Sequence, residues 1–105
     1  MKHLFVSCLL FLGATRLFAV KAEKNSLREL RLDGATSLTS LDASENQLPG
    51  DDFRAFTQLE QLDLAFNPLV RLDVRGLAKL RKLSCYSETL TNLNLSGTES
   101  LQFAW

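Results

Sequence analysis

Leucine returns along this chain at a fixed interval. Leu38, Leu59, Leu80 and Leu101 lie 21 residues apart, and Leu27, Leu48, Leu69 and Leu90 form a second series of the same period, set about halfway between the first. A fixed period of this length marks a coil in which each turn repeats one unit, and it replaces the search for a single globular core. Each leucine opens an LxxLxL-like phrase: Leu59, Leu62 and Leu64 in the first column, Leu69, Leu72 and Val74 or Leu90, Leu93 and Leu95 in the second. Apolar residues two apart put alternate side chains on one side of the backbone, so both phrases predict short strands. No single turn can bury its own apolar side. Stability must come from stacking one turn on the next, with parallel strands above one another.

Polar residues keep the same beat. Gly34, Gly76 and Gly97 recur in the second column where the chain must turn, and freedom at positive φ suits a corner. Asn46 and Asn67 recur in the first column, where an inward amide can satisfy backbone groups exposed at a bend; Glu88 takes that place one turn later. The second phrase of one turn breaks the pattern. It reads LPGDDF, with Asp51 where an inward leucine is expected. Pro49 and Gly50 favour a turn there, with Phe53 and Phe56 filling the core from a short helical or irregular arc.

The stretch Leu59 to Leu69, LEQLDLAFNPL, matches the leucine-rich-repeat consensus LxxLxLxxNxL at each fixed position, and Leu38 to Leu48, LTSLDASENQL, matches with Ala43 for one leucine. The chain therefore resembles leucine-rich-repeat proteins. The 21-residue period, the second phrase in each turn and Cys85 in a central inward place resemble the bacterial internalin-type surface repeats in particular. That resemblance implies a β-rich repeat solenoid, a right-handed coil with parallel strands, exported to the cell surface and used in adhesion or recognition of a protein or glycan. It covers Leu27 to Trp105, about 3.75 turns, with no recognisable cap at either end. The expected reading is an uncapped domain over residues 23–105, whose open turns invite end-to-end self-association; the alternative is a structural spacer or truncated remnant of a larger surface adhesin with no ligand of its own.

Upstream, Lys2 and His3 precede an apolar run from Leu4 to Ala14, interrupted by Arg16. About a dozen apolar residues are too few to cross a bilayer but suit an export signal. Val20 and Ala22 provide small or apolar residues at the −3 and −1 positions, with Ala19 a competing site, so residues 1–22 are expected to be a signal peptide and the mature chain to begin at Glu23. An uncleaved anchor, a lipid anchor at Cys8 and a buried N-terminal helix are the alternatives. After cleavage no transmembrane segment is expected. The whole chain carries 12 basic and 12 acidic side chains; without residues 1–22 the count is 9 against 12, a net charge of −3. A balance of that sign argues against gripping nucleic acid or anionic lipid.

Candidate chemistry is sparse. The only histidine, His3, lies in the expected signal, which leaves the repeats without an imidazole for general base work or zinc and argues against an enzyme. Cys85 stands in the column of Ala43 and Leu64 and reads as a buried, reduced thiol. Asp42, Asp63 and Asp73 lie on strands, with Asp42 and Asp63 neighbours across one ladder and Asp73 on another arc, so they read as solvated acids rather than a calcium loop. No cofactor is expected. Asn94, Leu95 and Ser96 form a glycosylation sequon that matters only in a eukaryotic host. The binding surface is expected on the strand face beginning near Leu38. Its outward places collect Ser40, Gln61, Lys82 and Phe103, then Asp42, Asp63, Ser84 and Trp105, then Ser44, Ala65 and Tyr86. Gln61, Asp63, Lys82, Ser84, Tyr86, Phe103 and Trp105 are the candidate contact residues, with Lys82, Tyr86, Phe103 and Trp105 placed to gather. Exposed aromatics beside a cation have the composition of interaction hot spots, and stacked rings suit sugar faces. Phe103 and Trp105 have a second reading, as a cover folded over the last turn.

Overall fold

The computed structural model describes residues 3–7 and 18–104, giving the backbone alone for residues 3–7, Asp33 and Phe103. Nine short strands follow one another: β1 (His3–Ser7), β2 (Ala19–Lys21), β3 (Glu29–Asp33), β4 (Ser40–Asp42), β5 (Gln61–Asp63), β6 (Arg71–Asp73), β7 (Lys82–Ser84), β8 (Asn92–Asn94) and β9 (Phe103–Ala104). All pairings between them are parallel. Strands from the first leucine column form one ladder in the order β2-β4-β5-β7-β9. The second column forms β1-β3 and β6-β8. This is a parallel β-solenoid, its turns stacked in the 21-residue register that sets Leu41 opposite Leu62 and Leu62 opposite Leu83.

Between the two ladders runs the core. Leu38, Leu41, Leu59, Leu62, Leu80 and Leu83 reach it from the first column, and Leu27, Leu69, Leu72 and Val74 from the second; each is at most 2% exposed. Along β5 the exposure alternates, with Leu62 buried between exposed Gln61 and half-buried Asp63. Leu62→Ala is therefore expected to destabilise the chain by about 3 kcal/mol, through lost transfer energy and an uncollapsed cavity. Asp63→Ala should cost much less. A urea titration giving equal losses would contradict the inward and outward assignments. At the far end of the coil Leu93 and Leu95, although inward in the repeat, are 39% and 36% exposed.

Buried asparagine amides tie the turns together. Asn67, 4% exposed, donates from Nδ2 to the carbonyls of Ala43 (3.0 Å) and Leu64 (2.9 Å) and accepts from the Leu48 amide at Oδ1 (3.0 Å). Asn46 repeats this one turn earlier, accepting from the Asn25 and Leu27 amides and donating to Ala22 and Ala43. Where Glu88 interrupts the series, the Ser87 and Thr89 hydroxyls donate instead to the Leu69 carbonyl. The residue before each asparagine sits in the left-handed region: Lys24 at φ 60°, Glu45 at 54° and Phe66 at 59°. Recurrence in three successive turns makes this a property of the repeat. Gly34, Gly76 and Gly97 share φ values of 77° to 78°, as corner residues should.

The repeat also extends upstream of Leu27. Val20 pairs with Leu41, and Ala22 is 5% exposed within the core. Asn25 donates from Nδ2 to the Ala22 and Glu23 carbonyls, the gesture that Asn46 and Asn67 make later. In the sequence, Leu17, Val20, Ala22, Asn25 and Leu27 carry the same spacing as the later phrases. On the second face β1 pairs with β3, His3 standing opposite Glu29, an offset of 29 − 3 = 26 residues in place of 21. The apolar stretch read as an export signal overlaps the residues not described, 8–17, and Cys8 lies among them.

In the turn containing LPGDDF the second-face strand is absent, as the proline and glycine foretell. Asp51 is exposed, Phe53 is 3% exposed in the core and Phe56 packs partly buried against it, with ring centroids 6.0 Å apart. This arc hydrogen-bonds forward, through Phe53 N to Asp73 O and Val70 N to Pro49 O, with an isolated bridge between Asp52 and Asp73. It does not join the β3 ladder. The second face therefore splits between β3 and the arc.

Candidate functional site

Two concavities follow from this geometry. One, about 540 Å3, opens where the second face splits; Leu30, Leu32, Leu48, Phe53 and Phe56 line it, with Arg31 and Asp52 among its charged residues. It is a consequence of the missing strand. The other, about 560 Å3, lies on the continuous first-column ladder and is lined by Ser44, Glu45, Asp63, Phe66, Ser84 and Tyr86, with Ala65 between them.

The second groove is built by the repeat register. β5 and β7 pair with Asp63 opposite Ser84, and one strand earlier Asp42 stands opposite Asp63. Past Asp63 the chain leaves the strand and turns at Ala65 and Phe66. The Asp63 carboxylate accepts from the Ala65 amide (3.0 Å), and Asp42 accepts from the Ser44 amide (3.1 Å) and hydroxyl (2.7 Å), so each aspartate pins the turn that follows it. Phe66 and Tyr86 meet with ring centroids 5.4 Å apart and planes inclined by 56°. They are also 64% and 50% exposed, an unusual state for two large rings unless something covers them.

Of the residues expected to make contact, Asp63, Ser84 and Tyr86 come together in this groove. Gln61 and Lys82 are exposed neighbours on the same ladder but do not line it. Phe103 continues their row by backbone pairing with Lys82, its side chain not being described, and Trp105 lies outside the described residues. Tyr86 thus finds its ring partner in Phe66. Ala65, placed outward by strict alternation like Tyr86 one turn later, lines the groove but is only 5% exposed. Phe66 and Glu45 escaped the sequence reading because they occupy the variable place before asparagine, where strand alternation gives no direction. The sequence signal that would have found them is the period itself, which aligns Lys24, Glu45 and Phe66.

On the second face the acids are spoken for. Arg54 binds Asp52 at 2.7 Å and reaches Asp73 on the next turn at 3.4 Å, while Arg75 binds Asp73 at 2.8 Å. The hydrogen bond from the Arg54 side chain holds the Asp52 carboxyl at about 2, below its ordinary 3.8. Arg75 lowers Asp73 in the same way. Because these folded values are depressed, the stabilisation is present above the ordinary carboxylate range and is lost as pH falls through the folded values. Exposed pairs of this kind contribute little. Arg54→Ala should slightly flatten the acid limb of a stability curve between pH 3.8 and about 2, measured by urea titration at each pH; an unchanged slope would show the pairing to be ornamental. Cys85, 6% exposed, is a free thiol whose ionisation burial pushes up, the opposite of an activated nucleophile. Among the described residues no three His, Cys, Asp or Glu side chains gather where a metal ion could be held, and no helix is long and apolar enough to cross a membrane.

Residues 37–59 match the family model named Leucine Rich Repeat. That turn is similar to a leucine-rich repeat. The match spans one whole circuit, from the phrase opened by Leu38, through the irregular arc, to Leu59, and the flanking turns repeat its register in the ladder. No curated protein and no solved structure matches the chain significantly. Leucine-rich-repeat solenoids generally serve as protein-interaction modules, since a stack of short parallel strands offers a broad, rigid surface with freely variable outward residues.

Proposed function

We propose that this chain is an exported binding module of the internalin type, and that it meets a protein partner on the first-column strand face at the Phe66–Tyr86 groove. The carrying observation is the pair of mutually packed, half-exposed rings set beside the Glu45 and Asp63 carboxylates and the Ser84 hydroxyl on a rigid ladder. Rigid aromatics at the centre of a surface bury much area for little lost freedom, and they dominate interface energetics. The apolar groove beside β3 is the lesser candidate, because its floor is repeat core left open by the missing strand.

Panning a displayed random-peptide library against the whole chain tests the reading. Enriched peptides should lose at least about tenfold in affinity for the Phe66→Ala/Tyr86→Ala double variant, as hot-spot truncation implies. Peptides that bind both proteins equally would move the site elsewhere, and no enrichment would favour a spacer without a ligand.

Export is proposed on the charged start and short apolar run. Mass spectrometry of secreted material should give an N-terminus near Glu23. Such processing would detach β1 and β2 and leave β3 and β4 as the first strands of the coil. Recovery of intact Met1 in the mature pool would count against it.

A further inference from the structure

We infer that the Phe66–Tyr86 groove takes a lysine or arginine side chain from a basic segment of the partner, an inference that rests on the strand face being the partner surface. Two rings with centroids 5.4 Å apart and planes inclined by 56° form two walls of the groove, both largely exposed. The face of an aromatic ring carries negative potential and attracts a cation seated over it. Beside the rings stand the Glu45 and Asp63 carboxylates, with Asp42 paired opposite Asp63 on the adjoining strand. None of the lining residues is basic. Asp63 is held by its Oδ1 bond to the Ala65 amide, which fixes the carboxylate without neutralising it.

The charge of this edge already draws a cation of the chain itself. Lys24 Nζ stands 4.0 Å from Glu45 Oε1, with its side chain 70% exposed, too loosely held to fill the groove. An acidic ligand would meet like charge from both carboxylates. A metal ion would need converging ligands, and the described acids do not form such a group. A neutral sugar stacked on one ring would donate hydroxyls to the carboxylates but leave their charge uncompensated. A long side chain ending in an ammonium or guanidinium satisfies both features at once: its stem lies along the rings and its charged end reaches the carboxylates.

The test is an NMR titration of the whole chain with a doubly capped Gly-Lys-Gly peptide, its Nζ-acetylated counterpart and the neutral sugar maltotriose. The lysine peptide should shift the amide signals of Asp63, Phe66, Ser84 and Tyr86. Acetylation should weaken binding at least about fivefold, as should Asp63→Asn or Tyr86→Leu, with the dispersion of the spectrum showing that each variant stays folded. Equal affinity for the acetylated peptide, shifts confined to other parts of the surface, or preference for maltotriose would overturn the inference. The two failures are distinguishable. Library peptides that depend on the groove yet lack lysine and arginine would preserve the partner surface and sink the cation, whereas peptides indifferent to Phe66 and Tyr86 would sink the surface itself.

Discussion

Gly50→Ala is expected to cost at least about 4 kcal/mol, enough to consume most of the margin of a small domain. Gly50 has φ +109°, and a Cβ built there would overlap the carbonyl oxygen of Arg71, with the Arg71 carbonyl carbon at 2.9 Å. The obstacle is backbone of the next turn, so no side chain can swing aside. Gly76 provides the control. It has φ +77°, but a Cβ there meets nothing within 4 Å, so Gly76→Ala should cost only the backbone strain, about 1 kcal/mol. Thermal melts of the two variants should separate widely. Similar losses would mean that conformation rather than close packing of turns is what glycine supplies at position 50.

Asn67→Ala should be nearly as damaging, at about 4 kcal/mol. The amide answers the buried Leu48 N–H and the carbonyls of Ala43 and Leu64, and each group left without a partner costs about 1 to 3 kcal/mol. Asn67→Asp tests the cause, since it keeps an acceptor for Leu48 but loses both donors and adds a buried charge; it should be no better than alanine. If denaturant titration showed Asn67→Asp close to the native chain, the donor half of the amide would be dispensable.

The readable parts of this protein were those that depend on period. Leucine at intervals of 21 placed Leu38, Leu59 and Leu80 in the core because a coil that stacks in register must bury the same position in every turn. The asparagines were legible for the same reason. Pro49, Gly50 and Asp51 foretold the loss of a strand, yet nothing in them showed that the arc would bond forward to β6 and part from β3.

At the N-terminus two physical requirements coincide. Val20 and Ala22 are small or apolar as a signal-peptidase site demands, and they are also small or apolar as the inward side of a ladder demands, so composition alone does not separate the two. Val20 pairs with Leu41 and Asn25 repeats the asparagine contacts, so the ladder requirement is met by the same residues that suit cleavage after Ala22. The candidate groove was half legible. Asp63, Ser84 and Tyr86 followed from strand alternation, whereas Phe66 stands in the turn beyond the strand, where the left-handed backbone at φ 59° sets its position.

Hydrogen–deuterium exchange of the whole chain, alone and with a peptide selected by panning, tests the central claim most directly. Bound peptide should slow exchange at residues 61–66 and 82–86, where β5, β7 and their following turns form the groove. Protection instead at residues 28–32 and 48–53, around the split in the second face, would place the partner in the apolar groove and contradict the account.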